Sequence, residues 1–454
     1  MIRLAIFVAL VAGYLSLITA TVAGGMISPR MAILWADALL FADPVAFRAG
    51  DSFYPPLPKL LTLGLWWAPV PAPMLAAAGT AALLTLLWYR NLREKGGYSA
   101  RAAVVLTAAL ALNPLFLRAV VDGPGMVLLI LGTWIAVRGM MTLRLRGTAP
   151  DMMRVGLGLA IAILSHAHGL WLALAAIPAL ALAGRPSQVT ASPLGYLFTM
   201  LFPVAVAVLT LALINIAIGR PVIPRVPWSG APEAGPTLLA LGVTMLPALV
   251  LLPRLWGRAR YWMPMTGAVL TVGLAALANL TGGPIADPLL AAAPALAVTA
   301  LALRYWPVGQ ERRFAAAGLA AGSVLLGAAM VLSQPGGQGW VDALLRVPGG
   351  EGRLVAQAQV VEALGPEGRV LVDAERTPGL IALLGGTERL ILDGSTEYEL
   401  AVRSRTAPQE ARFVVLRAGD RLSGALDPTR TGAIAGHVLI HSASGWRVFE
   451  RTER

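Results

Sequence analysis

Apolar stretches of about twenty residues recur along this chain from Ala5 to about Leu332. A helix of that length spans the roughly 30 Å hydrocarbon core of a bilayer and satisfies its backbone hydrogen bonds internally. Only 13% of the residues are charged and the mean hydropathy is +0.70, whereas a soluble domain carries about a quarter charged residues. The sequence therefore predicts a polytopic α-helical membrane protein with about eleven transmembrane helices and a small C-terminal α/β soluble domain.

The basic residues fall in short clusters between the apolar stretches. Short cytoplasmic loops are enriched in Lys and Arg, so these clusters orient the helices. The same distribution explains the net charge of +12 without a nucleic-acid partner, which would require a basic stripe on a soluble surface. The candidate cytoplasmic loops are Arg90 to Arg101, Arg144 to Arg154, the region around Arg185, Arg254 to Arg260 and Arg304 to Arg313.

All five loops fit one alternation of eleven crossings, which places the C-terminus outside the cytoplasm. The alternation depends on Val155 to Ala183, where two short passes are predicted to meet at Ser165-His166-Ala167-His168-Gly169. One long helix there would invert everything downstream. Lys59 to Ala68 is too short to span and is predicted to lie at the membrane interface. The predicted crossings are about Ala5 to Gly25, Pro71 to Tyr89, Ala102 to Ala119, Gly125 to Thr142, Val155 to Ala167, Gly169 to Ala183, Pro193 to Gly219, Thr237 to Leu255, Trp262 to Leu280, Pro288 to Leu303 and Phe314 to Leu332.

The character of the sequence changes after Gln334, where charges become evenly spread and apolar runs shorten to strand length. We predict a transmembrane domain over 1–334, with a first outer loop at 26–58, and an extracytoplasmic α/β domain over 335–454. His437 and His441 flank one strand on the same face by their even spacing, and a structural role is predicted for both. The predicted strands are Arg369 to Asp373, Arg389 to Asp393, Arg412 to Leu416 and His437 to His441, with helices at Leu354 to Leu364 and Thr377 to Leu384.

The first outer loop concentrates ionisable and aromatic side chains. Met31 to Phe41 is predicted as an amphipathic helix, which would hold the Asp37 carboxylate at a fixed depth rather than on a free loop. Asp43 and Asp51 follow in the same loop, where acids are often simply solvated. Asp37 is therefore the first candidate for chemistry, and a solvated role stays open for all three acids.

Several fragments of the chain, taken in order, resemble a known family. An acid shortly after the first helix, an interfacial helix and Tyr54-Pro55-Pro56-Leu57 resemble the GT-C glycosyltransferase superfamily, particularly its protein O-mannosyltransferase-like and aminoarabinose-transferase-like branches. The resemblance covers roughly Leu4 to Leu332, and an appended outer α/β domain is also common there. Further fragments in the same order are Asn113-Pro114-Leu115, Asp122-Gly123-Pro124-Gly125, Gly156 to Gly169 and Asp287 to Leu296.

The resemblance implies inverting transfer of a sugar from a polyprenyl-phosphate donor to an acceptor at the outer face of a bacterial inner membrane. Such a reaction needs a carboxylate that takes the proton of the acceptor, and Asp37 is the catalytic candidate. It also needs cations beside the departing lipid phosphate. The candidates are Lys59, Arg118, Arg220 and Arg225 at predicted outer helix ends and Arg48 within the loop, with snorkelling to lipid headgroups as the alternative for each.

Two departures from the family pattern concern a metal site. Ala38 follows Asp37 where many of these enzymes have Asp-Glu, and Tyr54 stands where a His often precedes Pro-Pro-Leu. Tyr54 stays a substrate-binding candidate, but we do not predict a bound divalent ion. The sequence contains no cysteine, which excludes thiolate metal sites and disulfides.

Three further polar residues are candidates for substrate binding. Asp122 precedes a helix, either as a second acid of the site or as a solvated residue favoured by the helix dipole. His166 and His168 lie at an outer turn between two short helices, where an imidazole binds phosphate or caps a helix.

Two other functions stay open beside a glycosyltransferase. A non-catalytic GT-C-like subunit that anchors an outer domain in an envelope complex is consistent with Ala38 in place of the usual Glu. A transporter is expected to show charged residues inside helices or broken helices in two related halves, whereas the crossings from Pro193 onward are almost free of ionisable side chains. The predicted partners are membrane lipids and a polyprenyl-phosphate-linked sugar, and the sequence names neither the sugar nor the acceptor.

Overall fold

The computed structural model describes residues 2–41, 54–68, 71–217, 222, 231–307, 310–347, 355–374, 376–428 and 433–452. The candidate residues Arg48, Arg220 and Arg225 and the loop acids Asp43 and Asp51 lie outside the described residues. The chain divides into two compact units. The first comprises Met1–Ile18, Tyr54–Pro58 and Met74–Val341, and the second comprises Thr19–Phe53, Lys59–Pro73 and Asp342–Arg454.

Long apolar helices dominate the first unit. Within the described ranges, seven helices are long and apolar enough to cross a membrane, or eight if one bent pair counts as a single span. In chain order the helices up to residue 345 are α1 (Ile2–Ala23), α2 (Pro29–Leu40), α3 (Pro56–Leu63), α4 (Ala72–Arg90) followed by a π-helical turn at Asn91–Lys95, α5 (Ala100–Ala111), α6 (Pro114–Asp122), α7 (Pro124–Arg146), α8 (Ala149–Ser165), α9 (His168–Ala183), α10 (Pro186–Ala191), α11 (Pro193–Ala217), α12 (Ala234–Leu255), α13 (Ala259–Leu280), α14 (Pro288–Ala292), α15 (Ala295–Arg304), α16 (Gln310–Ser333) and α17 (Pro335–Leu345).

Within the described residues, each of the eleven apolar segments predicted from the sequence is mainly helical, and the polytopic helical fold is confirmed. Length and composition support fewer spans because α8, α9 and the α14–α15 pair are short. The segment predicted as one crossing from about Ala102 to Ala119 is two helices, α5 and α6, bent by 56°. The bend follows from Asn113, whose Oδ1 accepts the N–H of Leu115, and from Pro114, which begins α6.

The helices α8 and α9 form an antiparallel pair, as the prediction of two short passes requires. The first ends at Ser165 and the second begins at His168. Val155, in the first half of α8, shares a buried apolar cluster with Leu180 and Ala183, near the end of α9. The start of one helix therefore lies beside the end of the other, and the chain reverses direction at the two histidines.

Glycines set the distance between α7 and α8. A Cβ atom added at Gly158 would lie 2.4 Å from the backbone N of Ala136, and one added at Gly132 would lie 2.7 Å from the backbone N of Ala162. Neither position tolerates a side chain without a shift of the backbone. Small residues that let two membrane helices approach closely are a common means of packing in lipid, where burial of apolar surface gives little driving force.

The five basic loops predicted from the sequence meet at one end of the helix bundle. Arg304 Nη1 donates to Oδ1 of Asn91 at 2.9 Å, which joins the last loop to the first. Arg185 Nη2 donates to the carbonyl oxygen of Leu145 at 2.9 Å, which joins the third loop to the second. The fourth loop contacts the fifth through Arg254, which lies over the Trp306 ring at 5.0 Å. The first turns of α13, which follow the fourth loop, add Tyr261 against Tyr305 at 6.0 Å between ring centroids and Met263 Sδ at 3.1 Å from Arg144 Nη2.

The second unit contains a five-stranded mixed sheet in the order β2-β1-β3-β5-β4. Strand β1 is parallel to β2 and β3, whereas β5 is antiparallel to β3 and β4. Apolar side chains of the strands are buried in clusters with the surrounding helices. The elements are α18 (Val355–Leu364), β1 (Arg369–Leu371), α19 (Pro378–Leu384), β2 (Leu390–Ile391), α20 (Thr396–Ser404), β3 (Ala411–Arg417), α21 (Arg421–Leu426), β4 (His437–Ala443) and β5 (Trp446–Arg451).

The C-terminal α/β character is confirmed, with one strand and two helices that the sequence analysis missed: β5, α20 and α21. Strands β4 and β5 form a hairpin whose turn places Ser444 and Gly445 at φ angles of 51° and 79°. The expectation that His437 and His441 share a face is wrong. A bulge between Leu439 and His441 pairs His441 with Val448, whereas His437 pairs with Arg451, so the alternation is broken between them.

The amphipathic helix of the first outer loop is confirmed as α2, but its apolar face does not lie on lipid. Ser28 caps the helix by accepting the N–H of Met31 at 3.0 Å, and Pro29 is its first residue. Ala36 and Leu40 are buried in the apolar cluster that also contains strand residues of the α/β fold. Amphipathic periodicity alone cannot distinguish a protein core from a membrane interface, which is why the sequence analysis assigned this face to the membrane.

Candidate functional site

An ion pair in the second unit holds the predicted catalytic acid. Lys59 Nζ lies 2.8 Å from Oδ2 of Asp37. The Asp37 side chain is 22% exposed and the Lys59 side chain is 12% exposed, so the pair is largely shielded but open on one side. Because Ala36 is buried in the apolar cluster next to it in the chain, α2 cannot rotate freely. The structure therefore fixes a carboxylate and an ammonium group side by side.

Tyr54 lies in the first unit, at the end of the bundle where α8 finishes. Its hydroxyl donates to the carbonyl oxygen of Ile163 at 2.9 Å. Burial raises the pKa of Tyr54 well above its ordinary value, so the phenol stays a proton donor at neutral pH. A Cβ atom added at Gly125 would lie 3.0 Å from the carbonyl oxygen of Ser165 and 3.4 Å from Cγ of Pro58. The segment after Tyr54, the start of α7 and the end of α8 therefore meet.

The two histidines form the turn between α8 and α9. Nδ1 of His166 accepts the backbone N–H of His168 at 3.0 Å, and the carbonyl oxygen of His166 accepts the N–H of Gly169 at 2.8 Å. Both histidine residues are buried. His166 therefore caps the start of α9 through Nδ1, and phosphate binding by either histidine stays a prediction.

Arg118 is buried within the first unit and does not snorkel to a surface. Its side chain is 8% exposed, and Nη2 lies 3.2 Å from Oδ2 of Asp287. Nε and Nη1 have no hydrogen-bond partner in the described part of the chain. Asp122 lies one turn further along α6 and is also buried. The helix places the arginine and this acid on the same side, since residues four apart share a face.

Asp287 is a site residue that the sequence analysis missed. Its Oδ1 accepts the N–H of Leu289 at 2.9 Å and caps α14, while its other oxygen faces Arg118. An Asp before a Pro indicates the start of a helix. That signal was present in the sequence, but only the tertiary fold brings the second oxygen to an arginine 169 residues away.

The described residues contain no group of three or more His, Asp or Glu side chains that could hold a metal ion. The described site residues therefore offer cations, hydroxyl and imidazole groups and single carboxylates, but no ligand set. Tyr54, Asp122 and His166 gather at one end of the first unit, and Asp37 and Lys59 pair in the second.

The helix bundle and the appended α/β sheet define an integral membrane protein with the GT-C glycosyltransferase fold, as the resemblance in sequence implied. Two solved structures of ArnT from Cupriavidus metallidurans share this fold. The structure bound to undecaprenyl phosphate matches with a TM-score of 0.59, and the apo structure matches with a TM-score of 0.57. Each is 16% identical, and each match covers 97% of both chains. No family model and no curated protein matches the sequence.

Proposed function

We propose that this chain is an inverting glycosyltransferase that moves a sugar from a polyprenyl-phosphate donor to an acceptor at the outer face of a bacterial inner membrane. Two observations support the donor class. The fold is shared over 97% of the chain with ArnT, and ArnT has been solved with undecaprenyl phosphate bound. The observation that carries the proposal is the Asp37–Lys59 pair, because it fixes a base on α2 beside a cation on α3.

In the proposed reaction, an oxygen of the acceptor attacks the anomeric carbon and Asp37 accepts the proton of that oxygen. The bond between the anomeric carbon and the phosphate oxygen breaks, and its electron pair leaves with the lipid phosphate. Lys59 holds the Asp37 carboxylate in place through the 2.8 Å ion pair. Because inversion requires the lipid phosphate to leave from the opposite face of the anomeric carbon, a different cation stabilises the charge that develops there. Substrate-binding roles for Tyr54, Arg118 and Asp122 stay predictions.

The test is sugar transfer from defined polyprenyl-phosphate sugars by membranes that contain the protein or Asp37→Asn at matched expression. We expect transfer to fall at least about 100-fold in the variant, the usual contribution of a general base. Glu94→Gln is the matched control, because it also removes a carboxylate from an ion pair, that with Arg90. Transfer that persists in Asp37→Asn would place the base elsewhere.

The second candidate is a non-catalytic subunit with the GT-C fold. It is supported by α2, whose apolar face packs into the core of the α/β domain and thus gives the helix a structural role independent of chemistry. Ala38 beside Asp37 is consistent with a lost site. Absence of transfer by the unaltered protein with every donor, together with co-purification of envelope proteins, would favour this candidate.

A further inference from the structure

An arginine lies inside the membrane helix α7, away from the residues assigned above. Arg138 precedes Arg146, the last residue of α7, by eight positions, which is about 12 Å along a helix. Its guanidinium carbon lies 5.1 Å from the centroid of the Trp134 ring. A charged side chain at that depth is costly unless a partner of opposite charge or water accompanies it.

Arg304, the last residue of α15, presents a second positive charge at the same end of the bundle. Its guanidinium carbon lies 4.8 Å from the centroid of the Tyr305 ring, and Nη1 donates to Asn91. Nε of Arg304 and the hydroxyl of Tyr305 are buried and have no hydrogen-bond partner among the described residues. Polar groups in this condition cost free energy in the fold.

These positive charges repel one another. Helices α7 and α15 pack against each other, and Arg138 is within electrostatic range of Arg304, Arg154 and Arg146. Asp151 is within electrostatic range of Arg146, but both of its oxygens are engaged elsewhere: Oδ1 pairs with Arg154 and Oδ2 accepts the hydroxyl of Thr148, both at 2.7 Å. Among the side chains that the structure describes, no carboxylate forms an ion pair with Arg138, Arg146 or Arg304.

We propose that Arg138, Arg146 and Arg304 form a site for the phosphate group of an anionic phospholipid. Cations clustered between membrane helices at the basic end of a bundle bind such headgroups. Aromatic residues mark this end as the headgroup level: Trp256, which is 73% exposed, packs edge-on against Trp262 at 4.8 Å. The site is separate from the residues predicted to bind the sugar donor. Tyr54 and Asp122 lie near the start of α7, whereas Arg138 and Arg146 lie in its second half.

The test is native mass spectrometry of the full-length protein in detergent with phosphatidylglycerol and phosphatidylethanolamine at equal concentration. We expect the unaltered protein to retain phosphatidylglycerol preferentially, and Arg138→Gln/Arg304→Gln to retain it roughly tenfold less. Arg138→Lys/Arg304→Lys keeps both charges and should retain most of the binding, which separates lost charge from a failure to fold. Arg90→Gln is the matched control, since this exposed arginine is already paired with Glu94.

A parallel titration with inorganic phosphate, followed by thermal unfolding in detergent without added lipid, distinguishes the source of the phosphate group. Little stabilisation by millimolar phosphate is expected. Equal retention of the two lipids, or equal phosphatidylglycerol retention by the Gln variant and the unaltered protein, would overturn the proposal. If inorganic phosphate stabilises the unaltered protein but not the Gln variant, and neither lipid is preferred, the site binds free phosphate and the lipid proposal is wrong.

Discussion

Arg118 and Asp287 are 169 residues apart in the sequence and form an ion pair inside the first unit, with Nη2 3.2 Å from Oδ2. The pair joins α6 to the start of α14, two short helices next to breaks in the apolar segments. Asp287 also caps α14 through its other oxygen. One carboxylate therefore stabilises both a helix end and a buried cation.

Replacing Asp287 with Asn keeps the capping oxygen but removes the charge that faces Arg118. We expect the free energy of unfolding to fall by about 3 kcal/mol, because a buried positive charge is left without compensation. Adding Arg118→Met should restore at least about 1 kcal/mol of that loss. Thermal unfolding of the protein in detergent measures both changes. Additive losses in the double variant would contradict a direct pair.

The packing of α2 into the α/β core predicts a large effect from a single side chain. Leu40→Ala should destabilise the second unit by about 2–5 kcal/mol, because it removes buried apolar surface and leaves a cavity. Ile33→Ala on the same helix is the control, since Ile33 is 38% exposed and should cost under about 1 kcal/mol. Hydrogen exchange of the strand amides reports the difference. Similar exchange in both variants would show that α2 does not stabilise the sheet.

The close approach of α7 and α8 predicts that one methyl group at Gly158 is harmful. Gly158→Ala should cost about 1–3 kcal/mol, because the new Cβ would overlap the backbone of Ala136. Gly273→Ala, in a helix where the added Cβ meets nothing within 4 Å, should leave the unfolding temperature unchanged or raise it. Equal unfolding temperatures of Gly158→Ala and Gly273→Ala would mean that α7 and α8 can move apart at little cost in free energy.

The pH dependence of the second unit should carry a contribution from Asp420. Burial raises the pKa of this carboxyl above its ordinary value, and the charge of Asp373 adds to the rise. The folded state then holds the proton more tightly than the unfolded chain. The contribution is fully present below an ordinary pKa of about 3.9 and is lost as the pH rises through the raised value.

Comparison with Asp420→Asn isolates this contribution from that of the other acids. Hydrogen exchange of β3 amides, corrected for the intrinsic effect of pH, should show the unaltered protein losing stability relative to the variant as the pH rises above about 4. A difference between the two proteins that is constant with pH would contradict the raised pKa.

Most of the fold could be predicted from local patterns, because the length of an apolar stretch and the position of a basic cluster are each visible within a single segment. The break at His166 and the helix around Asp37 were both found in this way. The contacts that shape the site could not be predicted, because they join segments that are far apart in the sequence. Examples are the ion pair of Arg118 with Asp287 and the packing of Leu40 against the sheet. Strand β5 was missed because its three apolar residues, Trp446, Val448 and Phe449, share a run of only six residues with three charged ones.

The burial of α2 in the α/β core also limits how the chain is threaded through the membrane. Helix α2 and strands such as β3 can share a core only on the same side of the bilayer, so the number of crossings between residues 40 and 355 must be even. With the short helices α8, α9 and α14–α15 counted as crossings, the described segments in this range number ten, which is even: α4, α5 with α6, α7, α8, α9, α11, α12, α13, α14 with α15, and α16. Fusion of α8 and α9 into one span would make the number odd and separate α2 from the strands it packs against. The parity of the crossings is therefore set by a contact made outside the membrane.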